Sequence, residues 1–112
     1  MDERISSLKD TVLELIINII NRIDDISNEY SATGNMDNER LINIFDDMQA
    51  LAEGIDIIKK AYPDLDLLEF QEKAEMMRNA LEVQDMMLLF DILRFELKDL
   101  FLYWEQNLSK LN

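Results

Sequence analysis

Cysteine and histidine are both absent from this sequence of 112 residues. Without cysteine, the chain forms no disulfide, binds no metal through a thiolate and has no cysteine nucleophile. Without histidine, it lacks the side chain that most often acts as a general base or a metal ligand. The two absences exclude many catalytic and metal-binding mechanisms, so the sequence predicts a protein that is not an enzyme and has no cofactor.

Glycine and proline are scarce, with two glycines and one proline in the whole chain. A fold made of many short strands needs these residues for its tight turns. Hydrophobic residues make up 48% of the sequence, which is sufficient for a core without a metal or a disulfide. The composition therefore predicts one all-α domain that spans residues 1–112.

Long runs without charge are also lacking, since no such run exceeds seven residues. A membrane-spanning helix requires roughly 20 consecutive apolar residues. The first four residues, Met1 to Arg4, are largely charged and lack the basic and then apolar order of a secretory signal. We therefore expect a cytoplasmic protein with no membrane contact.

Positively charged residues are scarce, because the sequence has 11 Lys and Arg but 24 Asp and Glu, which gives a formal net charge of −13. Such a chain repels the phosphate backbone of nucleic acids, so we expect no nucleic-acid binding. An acidic surface favours basic partners, or it only keeps the protein in solution.

The C-terminal part of the chain has the strongest helical pattern, because fourteen of the nineteen residues from Met86 to Trp104 are apolar or aromatic. The main apolar stripe has steps of three or four residues and consists of Met86, Phe90, Leu93, Leu97, Leu100, Trp104, Leu108 and Leu111. A second stripe, on another face, consists of Leu88, Ile92, Phe95 and Leu102. A helix with two apolar stripes is covered on both sides within its own fold or binds a partner.

The apolar periodicity of the whole chain predicts four helices, at about residues 2–30, 37–62, 67–83 and 86–110. Short connections between helices make sequential neighbours antiparallel. The expected fold is therefore an antiparallel four-helix bundle.

Local signals mark the helix ends. Gly34 can take the left-handed conformation that ends a helix, and Asn35 or Asp37 can cap the next one. Asp66 is the best-defined cap, and Asp85 is a candidate cap for the last helix. Two questions remain open at this point. The phase shift near residues 83–85 fits a break or one bent helix, and Gly54 fits a close helix crossing or a weak point in its helix.

An acidic pattern provides an enzymatic alternative. Glu69-x-x-Glu72 is followed, after 23 residues, by Glu96-x-x-Asp99. This spacing resembles that of the MazG-like all-α nucleotide pyrophosphohydrolases. The resemblance implies that the four carboxylates would bind Mg²⁺, as hard cations prefer oxygen ligands, and would support nucleoside triphosphate hydrolysis. However, Glu69 and Glu72 are expected on the solvent side of their helix.

The main functional hypothesis is a non-enzymatic protein-interaction module. The second stripe of the C-terminal helix would bind an amphipathic helix, together with two methionines that flank the last helix junction, Met76 and Met87. In size, acidity and helical content, the chain is similar to small bacterial export chaperones such as those for flagellar subunits. That similarity implies an adaptor or chaperone-like role.

A third hypothesis is a structural homodimer. In this case the second stripe would pack in a partner copy against Leu13, Ile17 and Ile20, which widen the apolar face of the first helix. The expected partners are thus another protein or a second copy, and no small-molecule ligand is expected.

Overall fold

The computed structural model describes residues 3–110, and its helices are joined by short turns. The first three helices are α1 (Glu3–Thr33), α2 (Asn38–Ile58) and α3 (Leu67–Glu82). A continuous C-terminal helix follows, which consists of α4 (Met86–Asp91), a π-helical segment (Ile92–Leu97) and α5 (Lys98–Lys110). No strand is present in the described residues, and the predicted all-α bundle is confirmed.

Three predicted aspartate caps are present. Asp37, Asp66 and Asp85 each accept a hydrogen bond from a backbone N–H in the first turn of the following helix, at 3.2, 2.9 and 3.1 Å. Such caps satisfy backbone donors that have no partner within the helix, and each is worth about 1 kcal/mol. The starts of α2, α3 and α4 are therefore fixed by residues that adjoin them in sequence.

Two predicted helix ends need correction. α1 continues past Tyr30 to Thr33, and it ends where Gly34 takes a φ of +71°. α2 ends at Ile58 rather than at Tyr62. The N–H groups of Ala61 and Tyr62 both donate to the Ile58 carbonyl, which closes one turn after α2. The helix does not continue, because Pro63 follows and has no backbone N–H to donate. The predicted start at residue 2 lies outside the described residues.

The break between α3 and α4 is confirmed, and a single bent helix is wrong. The chain reverses at Gln84, which has a φ of +58°. The N–H of Asp85 donates to the carbonyl of Ala80 at 2.8 Å, which closes the turn. A left-handed residue other than glycine is unfavourable by roughly 1–2 kcal/mol, so this turn depends on the packing of the two helices that it joins.

The C-terminal helix contributes much of the core, including an aromatic cluster that it shares with α3. Most of the main stripe of the C-terminal helix is buried as predicted, namely Phe90, Leu93, Leu97, Leu100, Trp104 and Leu108. Met86 is half-buried, and Leu111 lies outside the described residues. The rings of Phe101 and Trp104 are 5.5 Å apart, and both lie 6.1 Å from Phe70 of α3. These contacts join α3 to the C-terminal helix.

Gly54 marks a close helix crossing. A Cβ atom at this position would lie 2.9 Å from Cγ2 of Val12 in α1. Val12 is buried, so α1 and α2 approach each other closely where Gly54 has no side chain. The alternative, that Gly54 is only a weak point of its helix, is not what the structure shows.

The helices are arranged as a ring in the order α2, α1, C-terminal helix, α3. Three of the four neighbouring helix pairs in this ring are joined by ion pairs. Arg22–Asp47 and Arg40–Glu29 join α1 to α2. Asp24–Lys98 joins α1 to the C-terminal helix, and Lys73–Glu96 joins α3 to the C-terminal helix. α2 and α3 are the least closely packed neighbours, and among the described residues they share no ion pair.

Within the described residues, no helix combines the length and the apolar character that crossing a membrane requires.

Candidate interaction surface

The six residues predicted to bind a partner do not form one continuous seam. Four of them have exposed side chains: Met76, Met87, Leu88 and Phe95. Leu102 is half-buried, whereas Ile92 is fully buried, with 0% of its surface exposed. The prediction that Ile92 faces a partner is therefore wrong, because the second stripe is divided between core and surface.

Ile92 is buried because the C-terminal helix lies between α1 and α3, which cover two of its flanks. The flank toward α3 carries Glu96, which accepts a hydrogen bond from Lys73 at 2.6 Å, and Ile92 lies one turn before Glu96. The local turn is also wider than an α-helical turn, since the N–H of Lys98 donates to the carbonyl of Leu93, five residues earlier. Ile92 and Leu93, the first two residues of this π-helical segment, are both fully buried.

Exposed apolar side chains are concentrated in one part of the sequence, from the second half of α3 to the first half of the C-terminal helix. Of the eleven large apolar residues exposed in the described part of the chain, six lie at positions 76–95. One of the six, Leu81, lines a groove toward α2. The other five, which we call the hairpin patch, are Met76, Val83, Met87, Leu88 and Phe95. Single exposed apolar residues are ordinary on a protein surface, whereas a contiguous group of them is typical of an interaction site.

Sequence reasoning missed one member of this patch. Val83 is 75% exposed and lies in the turn between α3 and α4, outside both predicted stripes. A search for helical periodicity omits residues at a break. The predicted helix break is the signal that could have identified Val83, because an apolar residue in a surface turn is not buried in the core.

Carboxylates are interleaved with the patch at helical spacing. Glu72 precedes Met76 by one turn, and Asp91 and Asp99 lie one turn before and one turn after Phe95. All three acidic side chains are exposed. Within residues 3–110, none of the three forms a salt bridge. The patch therefore combines apolar side chains with carboxylates that form no salt bridge in the described part of the chain.

The basic side chains of the same region are already engaged within the chain. Lys73 binds Glu96, Arg78 binds Glu75, Lys98 binds Asp24, and Arg94 donates to the hydroxyl of Ser31. The guanidinium of Arg94 also lies 4.8 Å from the centre of the Phe95 ring. The hydrogen bond to Glu96 raises the pKa of Lys73 above its ordinary value of 10.5, against a smaller opposing effect of burial.

Phe95 and Leu102 share a groove between α1 and the C-terminal helix, with a volume of about 420 Å³. Asp24, Lys98 and Ser27 also line this groove. The Ser27 side chain is buried, and its Oγ has no hydrogen-bond partner among the described residues. The structure thus brings two of the predicted residues together here, at the edge of the hairpin patch.

The four carboxylates of the enzymatic alternative are only partly brought together. Glu69 and Asp99 line one groove of about 540 Å³, together with Asp64 and Asp66. Glu96 instead binds Lys73, and Glu72 is exposed on α3, as expected. In the described part of the chain, no group of three or more acidic side chains is arranged to hold a metal ion.

The stripe on α1 is mostly covered within the chain. Ile20 is buried and Leu13 is half-buried, whereas Ile17 is 47% exposed. Of the three α1 residues that the homodimer hypothesis requires, only Ile17 is exposed enough to contact a second copy.

Comparisons with models of known protein families, with curated proteins and with solved structures found no match for this chain. The class of protein is accordingly defined by the fold and the surface alone: an acidic four-helix bundle with an apolar patch at one helical hairpin.

Proposed function

We propose that this protein is a helical protein-interaction module, an adaptor or small chaperone-like protein, and that it binds its partner through the hairpin patch. The observation that carries this proposal is the concentration of exposed apolar side chains at positions 76–95. The methionines Met76 and Met87 are unbranched and flexible, so they can adapt to the shape of a partner.

The position of the patch supports this function. Four of the five side chains lie on α3 and the C-terminal helix, and Val83 lies in the turn between them. The two helices pack against each other, with Phe70 of α3 against Phe101 and Trp104. Three of the five side chains, Met87, Leu88 and Phe95, lie on the C-terminal helix. A single packed helix presents its side chains in a fixed arrangement, which lowers the entropic cost of binding.

Affinity purification from the native cell tests the proposal, with three versions of the protein. The patch variant carries Met87→Asp and Phe95→Asp, and the control variant carries Ile57→Asp. Ile57 is a suitable match because it is 57% exposed, compared with 55% for Phe95, and lies on α2 outside the patch. We expect a protein that co-purifies with the wild type and the control but not with the patch variant.

Circular dichroism and the mass in solution complete the experiment. Because Met87 and Phe95 are largely exposed, the patch variant should remain folded, with less than about 1 kcal/mol of lost stability. If every protein retained by the wild type is also retained by the folded patch variant, the proposed function is wrong.

A further inference from the structure

The acidic residues around the hairpin patch restrict the chemistry of its partner. We infer, on the basis of the proposed function, that the patch binds an amphipathic helix with an apolar stripe flanked by lysine or arginine. Amphipathic helices bind apolar surfaces through residues spaced three, four and seven apart. Leu88 and Phe95 lie seven residues apart on the C-terminal helix, so two apolar residues of a partner helix that are two turns apart can contact both of them.

Charge complementarity favours a basic partner. Glu72, Asp91 and Asp99 are exposed beside the patch and form no salt bridge within residues 3–110. Arg94 lies against the Phe95 ring, and Lys73 is bound to Glu96. A partner with its own positive charges can therefore pair with carboxylates that form no salt bridge within the described residues.

The same charges disfavour a second copy of this chain. Each copy has a net charge of −13, and a symmetric contact through the patch would bring Asp91 and Asp99 of both copies together. Like charges across an interface weaken binding unless they are paired. Arg94 lies against the Phe95 ring, but its single positive charge does not balance Asp91 and Asp99 of each copy.

Three synthetic peptides of equal length test the inference by fluorescence anisotropy. The first has leucine at helical spacing and lysine elsewhere, the second has glutamate in place of lysine, and the third has the composition of the first with its leucines scattered. We expect only the first to bind. Added salt should weaken its binding, because ionic screening reduces the attraction between exposed charges.

Variants locate the binding site of the first peptide. Met87→Ser with Phe95→Ser should weaken binding about tenfold or more, the loss typical of removing central apolar contacts. Asp91→Asn should weaken it by about two- to fivefold, as expected for an exposed charge pair. The matched controls Ile57→Ser and Glu53→Gln, both at exposed sites of α2, should bind the peptide like the wild type.

Other outcomes overturn the inference. Equal binding of the glutamate peptide would show that charge does not select the partner. Equal binding by the Met87 and Phe95 variant, or by the scattered peptide, would show attraction by charge alone. A wild-type dimer that this variant converts to monomers would show that a second copy covers the patch. A co-purified partner without basic helices would refute this inference and leave the proposed function intact.

Discussion

At the scale of single residues, Gly54 illustrates a position where packing outweighs intrinsic preference. In an exposed helix, Gly→Ala is stabilising by up to about 1 kcal/mol. Here the added methyl group would lie 2.9 Å from Cγ2 of Val12. Val12 is β-branched and buried on a helix, so its side chain has one strongly preferred rotamer and little freedom to move away.

We therefore expect Gly54→Ala to reduce the free energy of unfolding, because forcing a methyl group into a packed core typically costs about 1–3 kcal/mol. The measurement is urea denaturation in two backgrounds. In the Val12→Ala background, the same substitution should be neutral or stabilising by up to about 1 kcal/mol. An equal effect in both backgrounds would contradict the crossing at Val12.

At the scale of helices, the sequence predicts features that depend on nearby residues and misses those that depend on distant ones. The caps at Asp37, Asp66 and Asp85 were predictable because a cap satisfies donors in the adjoining turn. The π-helical segment was not predictable, because no glycine or proline marks it. The burial of Ile92 depends on how α3 packs against the C-terminal helix, and the apolar periodicity of one helix carries no information about that packing.

The divided stripe leads to a paired prediction for Ile92 and Leu88, which sequence reasoning placed on the same face. Ile92→Ala should cost about 2–5 kcal/mol, as it removes a fully buried side chain. Leu88 is 42% exposed, and Leu88→Ala should cost about 1 kcal/mol or less. Thermal or urea unfolding of the two variants provides the measurement. Similar losses for both would mean that Leu88 is as buried as Ile92.

The hydrogen bond between Lys73 and Glu96 leads to a prediction at high pH. Because the pKa of Lys73 is raised in the folded state, the folded protein holds this proton more tightly than the unfolded chain. The resulting stabilisation is complete below the unfolded value of 10.5 and is lost as the pH rises through the higher folded value. The substitution Lys73→Met should remove this stabilisation.

Urea denaturation as a function of pH tests this point. The difference in stability between the wild type and Lys73→Met should be constant from about pH 6 to 9 and should shrink above the ordinary lysine pKa. Lys60→Met serves as the control, since Lys60 is exposed and forms no salt bridge within the described residues. A difference that grows above that pKa would contradict the raised pKa of Lys73.

At the scale of the whole molecule, the four helices contribute unequally to the core. α1 contains eight buried residues and α2 contains six, whereas α3 contributes only Phe70, Met77 and Ala80. α3 also makes only a weak contact with α2, which is its other neighbour in the ring. Regions with few buried contacts open at a lower free energy than the rest of a fold.

Hydrogen exchange should therefore show a graded protection of the backbone amides. We expect the middle of α1 and the C-terminal helix to exchange most slowly and α3 to exchange fastest of the four helices. The readout is exchange measured by mass spectrometry on proteolytic fragments under native conditions. Protection of α3 equal to that of α1 would refute this ranking.

The loose contact between α2 and α3 has a consequence for how the molecule fluctuates. The groove between them measures about 400 Å³, and its lining includes Phe45, Met48 and Leu81. We expect α2 and α3 to separate more readily than the other neighbouring helices, because few contacts hold them together. Such a separation would widen this groove and expose apolar side chains that the closed bundle covers, whereas the close contact of Gly54 with Val12 would keep α1 and α2 together.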